Sequence, residues 1–240
     1  MGGRDLSVID PARHFDRDRA EGYDRRVRYL IPGYSVIHEL SKSLLESCLS
    51  ARAKILVAGA GTGNEAVFLA EDNPDWEITG FDPAPEMIKI ARLKVSEKGL
   101  GGRISLVEGF APDLKSKALF DAATAILVMH FLPDDGSKDQ FAREISKRLK
   151  PGAKFILTDL EGDTKSENFR LLVSAWKRHL LRIVQDPEKV EETFENIMKN
   201  VKFRPESRIR EILENAGFEK IDKFCQSCLA GGYIAVKSAD

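Results

Sequence analysis

Residues 59–63 read Gly-Ala-Gly-Thr-Gly and follow directly on the apolar run Lys54-Ile55-Leu56-Val57-Ala58. Asn64-Glu65-Ala66-Val67-Phe68-Leu69-Ala70 comes next, so the spacing predicts a strand, a tight glycine turn and a helix. Glycines let the main chain approach a ligand closely, and the helix N-terminus behind them offers free N–H groups. The spacing is GxGxG; a dinucleotide fingerprint would need its third glycine where Asn64 stands. This favours S-adenosylmethionine over NAD, with cofactor contacts expected at Gly59, Ala60, Gly61 and Gly63. A glycine turn taken alone can also be a structural loop. Asp82 in Gly80-Phe81-Asp82-Pro83 adds context, because an acidic side chain about twenty residues past such a turn can accept hydrogen bonds from ribose hydroxyls. The competing role for Asp82 is to cap a helix beginning near Pro85, and the two roles are compatible.

His130 in Met129-His130-Phe131-Leu132 follows a predicted parallel strand whose carboxyl end should border the cleft, which makes it the candidate general base. A histidine packed within a loop is the alternative. Cys225-Gln226-Ser227-Cys228 is a lone CxxC within a strand pattern and opens no helix, so it is expected to be structural, with no metal. Cys48 is expected to be a small buried helix residue. Arg25, Arg26 and Arg28 could bind an anionic acceptor, but, interleaved with Asp16, Asp18 and Asp24, they read as an internally paired arm. Phe169, Trp176 and Phe194 could line an acceptor pocket, or form an ordinary packing stripe at helical spacing.

The elements that must position these residues alternate. Short apolar runs at 55–58, 78–81, 104–107, 122–128 and 155–157 suit strands buried on both faces of a parallel sheet. Amphipathic stretches lie between them, including Glu86 to Lys98 and Lys138 to Leu149, the latter stopped by Pro151-Gly152. Two closing strands, Ile221 to Cys225 and Tyr233 to Val236, are linked by a segment containing Ala230-Gly231-Gly232 and should pair as an antiparallel hairpin at one sheet edge. The expected fold class is therefore α/β: a doubly wound, mostly parallel seven-stranded sheet with an antiparallel edge hairpin and a helical lid. Residues 1–50 form an N-terminal helical arm, and 51–240 the main domain. Residues 160–204 are the lid insertion, its second helix capped by Asp186 and opened by Pro187.

Lys and Arg number 37 against 38 Asp and Glu, so no global field draws the protein to nucleic acid or an anionic membrane. A small-molecule acceptor fits better. The chain has no apolar run of spanning length, and its N-terminus lacks the basic and apolar regions of a secretory signal. A cytoplasmic protein is expected, with homodimer formation left open.

Over about residues 50–160 the chain resembles the class I methyltransferases, through the glycine turn and Asp82. Over nearly its whole length it resembles the carboxy-S-adenosylmethionine synthases of tRNA wobble-uridine modification. The matching stretches are Ile31-Pro32-Gly33-Tyr34-Ser35, the glycine turn, Phe81-Asp82 with Met87, Glu195-Asn196, Ala216-Gly217-Phe218-Glu219 and the cysteine-containing final strands. The resemblance implies cofactor contacts at Tyr34, Gly59 and Asp82, and further contacts are expected at Pro83, Met87, Phe110 and Ala111. Three positions depart from the pattern. Val57 replaces the usual acid two residues before the first glycine, and Phe110 replaces an aspartate near the adenine. Glu191 falls where an ungapped helix would carry the synthases' arginine. A sulfonium methyl group is already activated, so alignment and exclusion of water would be the protein's main tasks. The leading expectation is a methyltransferase acting on a small molecule; the alternatives are a synthase-like sulfonium-modifying enzyme and a non-catalytic cofactor binder.

Overall fold

Ile55, Leu56, Val57 and Ala58 expose no surface, because strand β1 (Lys54–Ala58) runs through the middle of a sheet covered on both faces. In the computed structural model, which describes residues 15–115 and 119–239, alternate residues of that strand face different layers. Ile55 and Val57 pack under helices α3 (Tyr34–Cys48), α4 (Asn64–Asp72) and α5 (Pro85–Glu97). Leu56 and Ala58 pack with α6 (Ser137–Ser146) and α9 (Glu206–Asn215). A period of two explains why a continuous apolar run is needed here, where an amphipathic one would leave one face polar.

The other strands are β2 (Glu77–Asp82), β3 (Ile104–Glu108), β4 (Phe120–Ile126), β5 (Leu149–Leu160), β6 (Phe218–Ser227) and β7 (Ala230–Lys237). Among the described residues they form one sheet in the order β3-β2-β1-β4-β5-β7-β6. Strands β1 to β5 pair in parallel, and β7 lies antiparallel between β5 and β6. The order reverses between β1 and β4, and a doubly wound sheet offers its ligand crevice at such a switch point, outside the carboxyl ends of the strands.

Three sequence expectations need correction. The helix expected to run to Leu149 ends at Ser146, and Pro151-Gly152 lies inside β5. Leu149 already pairs with Phe120, and the register then jumps to Ala122 with Lys154, so the Pro-Gly pair occupies an irregularity of the ladder where no N–H is demanded of proline. Ala230-Gly231-Gly232 belongs to β7, and the hairpin turns at Cys228-Leu229, with Cys228 at φ 54°. The glycines serve packing: a Cβ on Gly231 would stand 2.5 Å from the Glu161 carboxyl carbon. Cys48 is exposed, because it is the last residue of α3, whose buried face ends at Leu45.

Before β1 the arm forms α1 (Arg17–Glu21), α2 (Tyr23–Leu30) and α3; its residues 1–14 lie outside the described residues. After β5 come α7 (Glu167–Val184) and α8 (Pro187–Asn200), with the Asp186 side chain accepting from Lys189 N and Pro187 in the first turn as expected. Arm and insertion share one apolar core, in which Val27, Ile31 and Ile37 meet Trp176, Leu180 and Phe194. Trp176 Nε1 donates to the Leu30 carbonyl at 2.6 Å. Burying a side chain such as Phe194 contributes about 1.5–3 kcal/mol, so the two segments hold each other over one end of the sheet. Among the described residues no helix is long and apolar enough to cross a membrane.

Candidate functional site

The turn after β1 is built by main-chain hydrogen bonds and completed by one side chain. The N–H groups of Gly59 and Ala60 both donate to the Phe81 carbonyl at 2.9 Å, which fastens the turn to the end of β2. Gly59 sits at φ 71°, and a Cβ there would come within 2.4 Å of Val128 Cγ2, so both conformation and space require glycine. Gly61 donates its N–H to Asp82 Oδ2 at 2.9 Å, and Ala84 N donates to Asp82 Oδ1 at 2.9 Å. The two strongest sequence signals, the glycine turn and Asp82, are thus parts of one hydrogen-bonded unit. Burial pushes the Asp82 carboxyl above its ordinary value, and the two backbone donors offset this in part. The capping role expected for Asp82 is corrected: Ala84 is the N-cap of α5, and Asp82 braces the loop before it.

Above this unit lies a cavity of about 530 Å³. Of the residues expected to touch a cofactor, it brings together Gly59, Gly61, Asp82, Pro83, Met87, Phe110 and Ala111. A second cavity of about 30 Å³ takes in Tyr34, Gly59, Ala60 and Gly61. Gly63 borders neither; its Cβ position stands 3.0 Å from Ala91 of α5. Sequence reasoning missed Phe15 and Tyr23 of the arm, Leu127 and Val128 after β4, and Phe131 on the following short helical turn, all of which line the larger cavity. Leu127 carries the one local signal, and only in the structure: at φ 60° it is a non-glycine residue in the left-handed region, which costs on the order of 1–3 kcal/mol.

His130 lines neither cavity. It is 3% exposed, its Nδ1 lies 2.6 Å from Asp159 Oδ1, and its main-chain N–H donates to the same oxygen at 2.9 Å. Its carbonyl accepts from Lys202 N at 2.7 Å. The residue joins the β4 loop to β5 and to the end of the insertion. Phe169, Trp176 and Phe194 also lie away from both cavities, packed edge to face, Trp176 on Phe194 at 5.1 Å and Phe169 on Phe203 at 5.0 Å. Glu191 pairs with Lys177 at 2.5 Å on the exposed side of α8. Cys225 and Cys228 are free thiols pushed up by burial, the opposite of an activated redox pair.

The arm is fastened directly to the glycine turn. Asp24 of α2 accepts from Thr62 Oγ1 at 2.5 Å, Asn64 Nδ2 at 2.7 Å and Lys94 Nζ at 2.7 Å. This corrects the expected internal pairing of the arm, because Asp24 looks across to the main domain and Arg26 donates to the Arg19 carbonyl. Burial raises the Tyr23 hydroxyl far above its ordinary value and Tyr34 to about 12, and desolvation lowers His38 to about 4. At neutral pH these three groups are uncharged, and the acidic side chains at the turn are Asp24, Glu65 and Asp82.

Residues 55–152 match the family model described as Methyltransferase domain. The chain is 26% identical over 210 residues to a carboxy-S-adenosyl-L-methionine synthase of Campylobacter hominis, covering 87% of each chain. It is 28% identical over 167 residues to a demethylmenaquinone methyltransferase of Lactiplantibacillus plantarum, covering 69% of this chain and 67% of that one. Among solved structures its fold is similar to that of phosphoethanolamine N-methyltransferase 2 of Haemonchus contortus in complex with S-adenosyl-L-methionine. The TM-score is 0.66 at 17% identity, and the match covers 96% of this chain but only 60% of that one.

Proposed function

We propose that this chain, which carries a class I S-adenosylmethionine-dependent methyltransferase domain, transfers the methyl group to a small, largely apolar acceptor. The observation that carries the reading is the cavity of about 530 Å³ that begins at the glycine turn and continues between apolar walls under the arm. Its size and mixed lining are those of a small-molecule site. The residues present suit the cofactor: Met87, Phe110 and Ala111 offer apolar surface to a purine, and Asp82 keeps lone pairs free for ribose hydroxyls. The cofactor supplies an activated methyl group on sulfur.

What this chain's residues would do follows from the lining. Phe15, Tyr23 and Phe131 cover the cavity and exclude water, while Leu127 and Val128 shape its floor beside the turn. Among the described residues the lining includes no histidine, lysine, arginine or cysteine. Asp113 accepts from Phe110 N and Glu144 is paired with Arg148, so neither is poised as a base. The arrangement therefore favours an acceptor that is nucleophilic without help from a protein base, such as an electron-rich ring carbon. The Lactiplantibacillus relative, a demethylmenaquinone methyltransferase, supports that acceptor class.

The synthase-like activity is a second reading, favoured by the relative that shares 87% of its length with this chain. Among the described residues the lining offers no lysine or arginine to pair with an extra carboxylate on the cofactor, which speaks against it. Titration calorimetry with S-adenosylhomocysteine, carboxy-S-adenosylmethionine and NAD separates the alternatives. The expected result is binding of the first in preference to the other two; preference for the carboxylated ligand would transfer the assignment to the synthases, and binding of NAD alone would remove the cofactor reading. A metabolite screen for S-adenosylhomocysteine release then identifies the acceptor.

A further inference from the structure

The small cavity beside the turn has a different character from the large one. Besides the turn itself, it is bordered by Tyr34 and His38 of α3 and by Asn64 and Glu65 of α4. Glu65, on the first turn of α4, is 8% exposed; the Thr124 hydroxyl acts on its carboxyl group, but among the described residues Glu65 Oε1 lies outside hydrogen-bond geometry with any partner, and so does His38 Nε2. A buried polar atom left unpaired is destabilising, and such a group calls for an explanation, of which a donor brought by a ligand is one. The two cavities share Tyr23, Gly59, Gly61 and Ile126, so a ligand in the large cavity can extend a short arm into the small one. At about 30 Å³ the small cavity has room for one polar group and none for a ring.

We propose that Glu65 seats the α-ammonium group at the amino-acid end of the sulfonium nucleoside, with His38 as its neutral neighbour. The assignment rests on reading the large cavity as the cofactor site. An ammonium group carries three donors and no acceptor, which suits a carboxylate oxygen and an imidazole nitrogen that both lack partners. The groups facing Glu65 are Tyr34 and His38 of α3, Thr124 of β4 and Tyr23 of α2, with Asp24 and Arg28 of α2 acting on Tyr34 from further out. Arg28 also acts on His38. Burial pushes Glu65 up to about 7, so the empty seat holds a proton about half the time at neutral pH. A cation entering the seat favours the carboxylate, and the displaced proton goes to solvent. Binding of a ligand that carries the ammonium group therefore tightens as pH rises towards and through that value.

The test uses the whole chain and two ligands, S-adenosylhomocysteine and 5′-methylthioadenosine, the second lacking the amino-acid end. Between about pH 5.5 and about pH 7.5 the affinity for S-adenosylhomocysteine should rise roughly 25-fold, while that for methylthioadenosine should stay level. Calorimetry near pH 6.5 in buffers of different ionisation enthalpy should record proton release with the first ligand only. In Glu65→Gln the pH slope and the proton release should both vanish. Level affinity for S-adenosylhomocysteine without proton release, or the same slope with methylthioadenosine, would overturn the role of Glu65 while leaving the cofactor site standing. Failure of the parent protein to bind either ligand would overturn both.

Discussion

Asp82 carries two duties on one carboxylate, and substitution can separate them. Its oxygens brace Gly61 and Ala84, while its remaining lone pairs face the cavity. Asp82→Ala should weaken S-adenosylhomocysteine binding by about 1–3 kcal/mol, the scale of lost hydrogen bonds to a charged acceptor. Asp82→Asn keeps one carbonyl acceptor for the brace and should lose less. Unchanged affinity in a folded Asp82→Ala protein would show that the carboxylate only holds the turn. His130 illustrates the opposite case. Its position after a strand suggests a cleft residue, yet the side chain satisfies Asp159, and the cavity wall is made by its neighbours Phe131 and Val128. Sequence position identifies the segment, but rotation about the chain decides which side chain looks into the site.

At the level of elements, the arm is more than a leader into the sheet. Helix α2 supplies Tyr23 to the cavity and Asp24 to the glycine turn, so the turn that would bind the cofactor also holds down the segment that covers it. The insertion at 160–204 holds the arm from behind through Trp176 and Leu30, and among the described residues it contributes no side chain to the cavity wall. Asp24→Ala should therefore release the front of the arm. Discounting for partial exposure, the loss of the bonds to Thr62, Asn64 and Lys94 should cost about 1–2 kcal/mol of the closed arrangement. Stopped-flow measurement should show S-adenosylhomocysteine leaving several-fold faster than from the parent protein. An unchanged off-rate would mean that ligand exchange does not require the arm to lift.

For the molecule as a whole, the buried groups near the turn should leave a mark on stability. Glu65 is raised to about 7, so its contribution to stability is fully present below the ordinary carboxyl range, about 4.5, and is lost as pH rises through about 7. His38 is lowered to about 4, so its contribution is fully present above about 6.5 and is lost as pH falls through about 4. The two trends oppose each other across the same window. Glu65→Gln removes one of them and should be more stable relative to the parent at pH 8 than at pH 4.5, the difference amounting to about 3 kcal/mol. Denaturant unfolding of both proteins at the two pH values measures this; an equal effect at both would mean that Glu65 titrates normally in the folded chain.

The sheet, the glycine turn and its link to Asp82 are legible in the sequence because they are local. A strand buried on both faces must be apolar throughout, a tight turn against a neighbouring side chain must use glycine, and β2 follows at the distance a single crossover helix sets. The hairpin and the capped insertion carry local signals of the same kind, although the glycines near the hairpin lie inside β7, where Gly231 makes room for Glu161 and Gly232 for Phe224 and Cys225. What no local pattern could show is which distant segments close the site. Asp24 meets Lys94 from 70 positions away and Trp176 meets Leu30 from 146. Those meetings depend on how two amphipathic segments share one apolar core, and an apolar stripe specifies that a face must be buried without specifying its partner. Only the tertiary structure decides that the arm and not the insertion walls the cavity, that His130 turns to Asp159, and that Glu65 stands buried beside the turn.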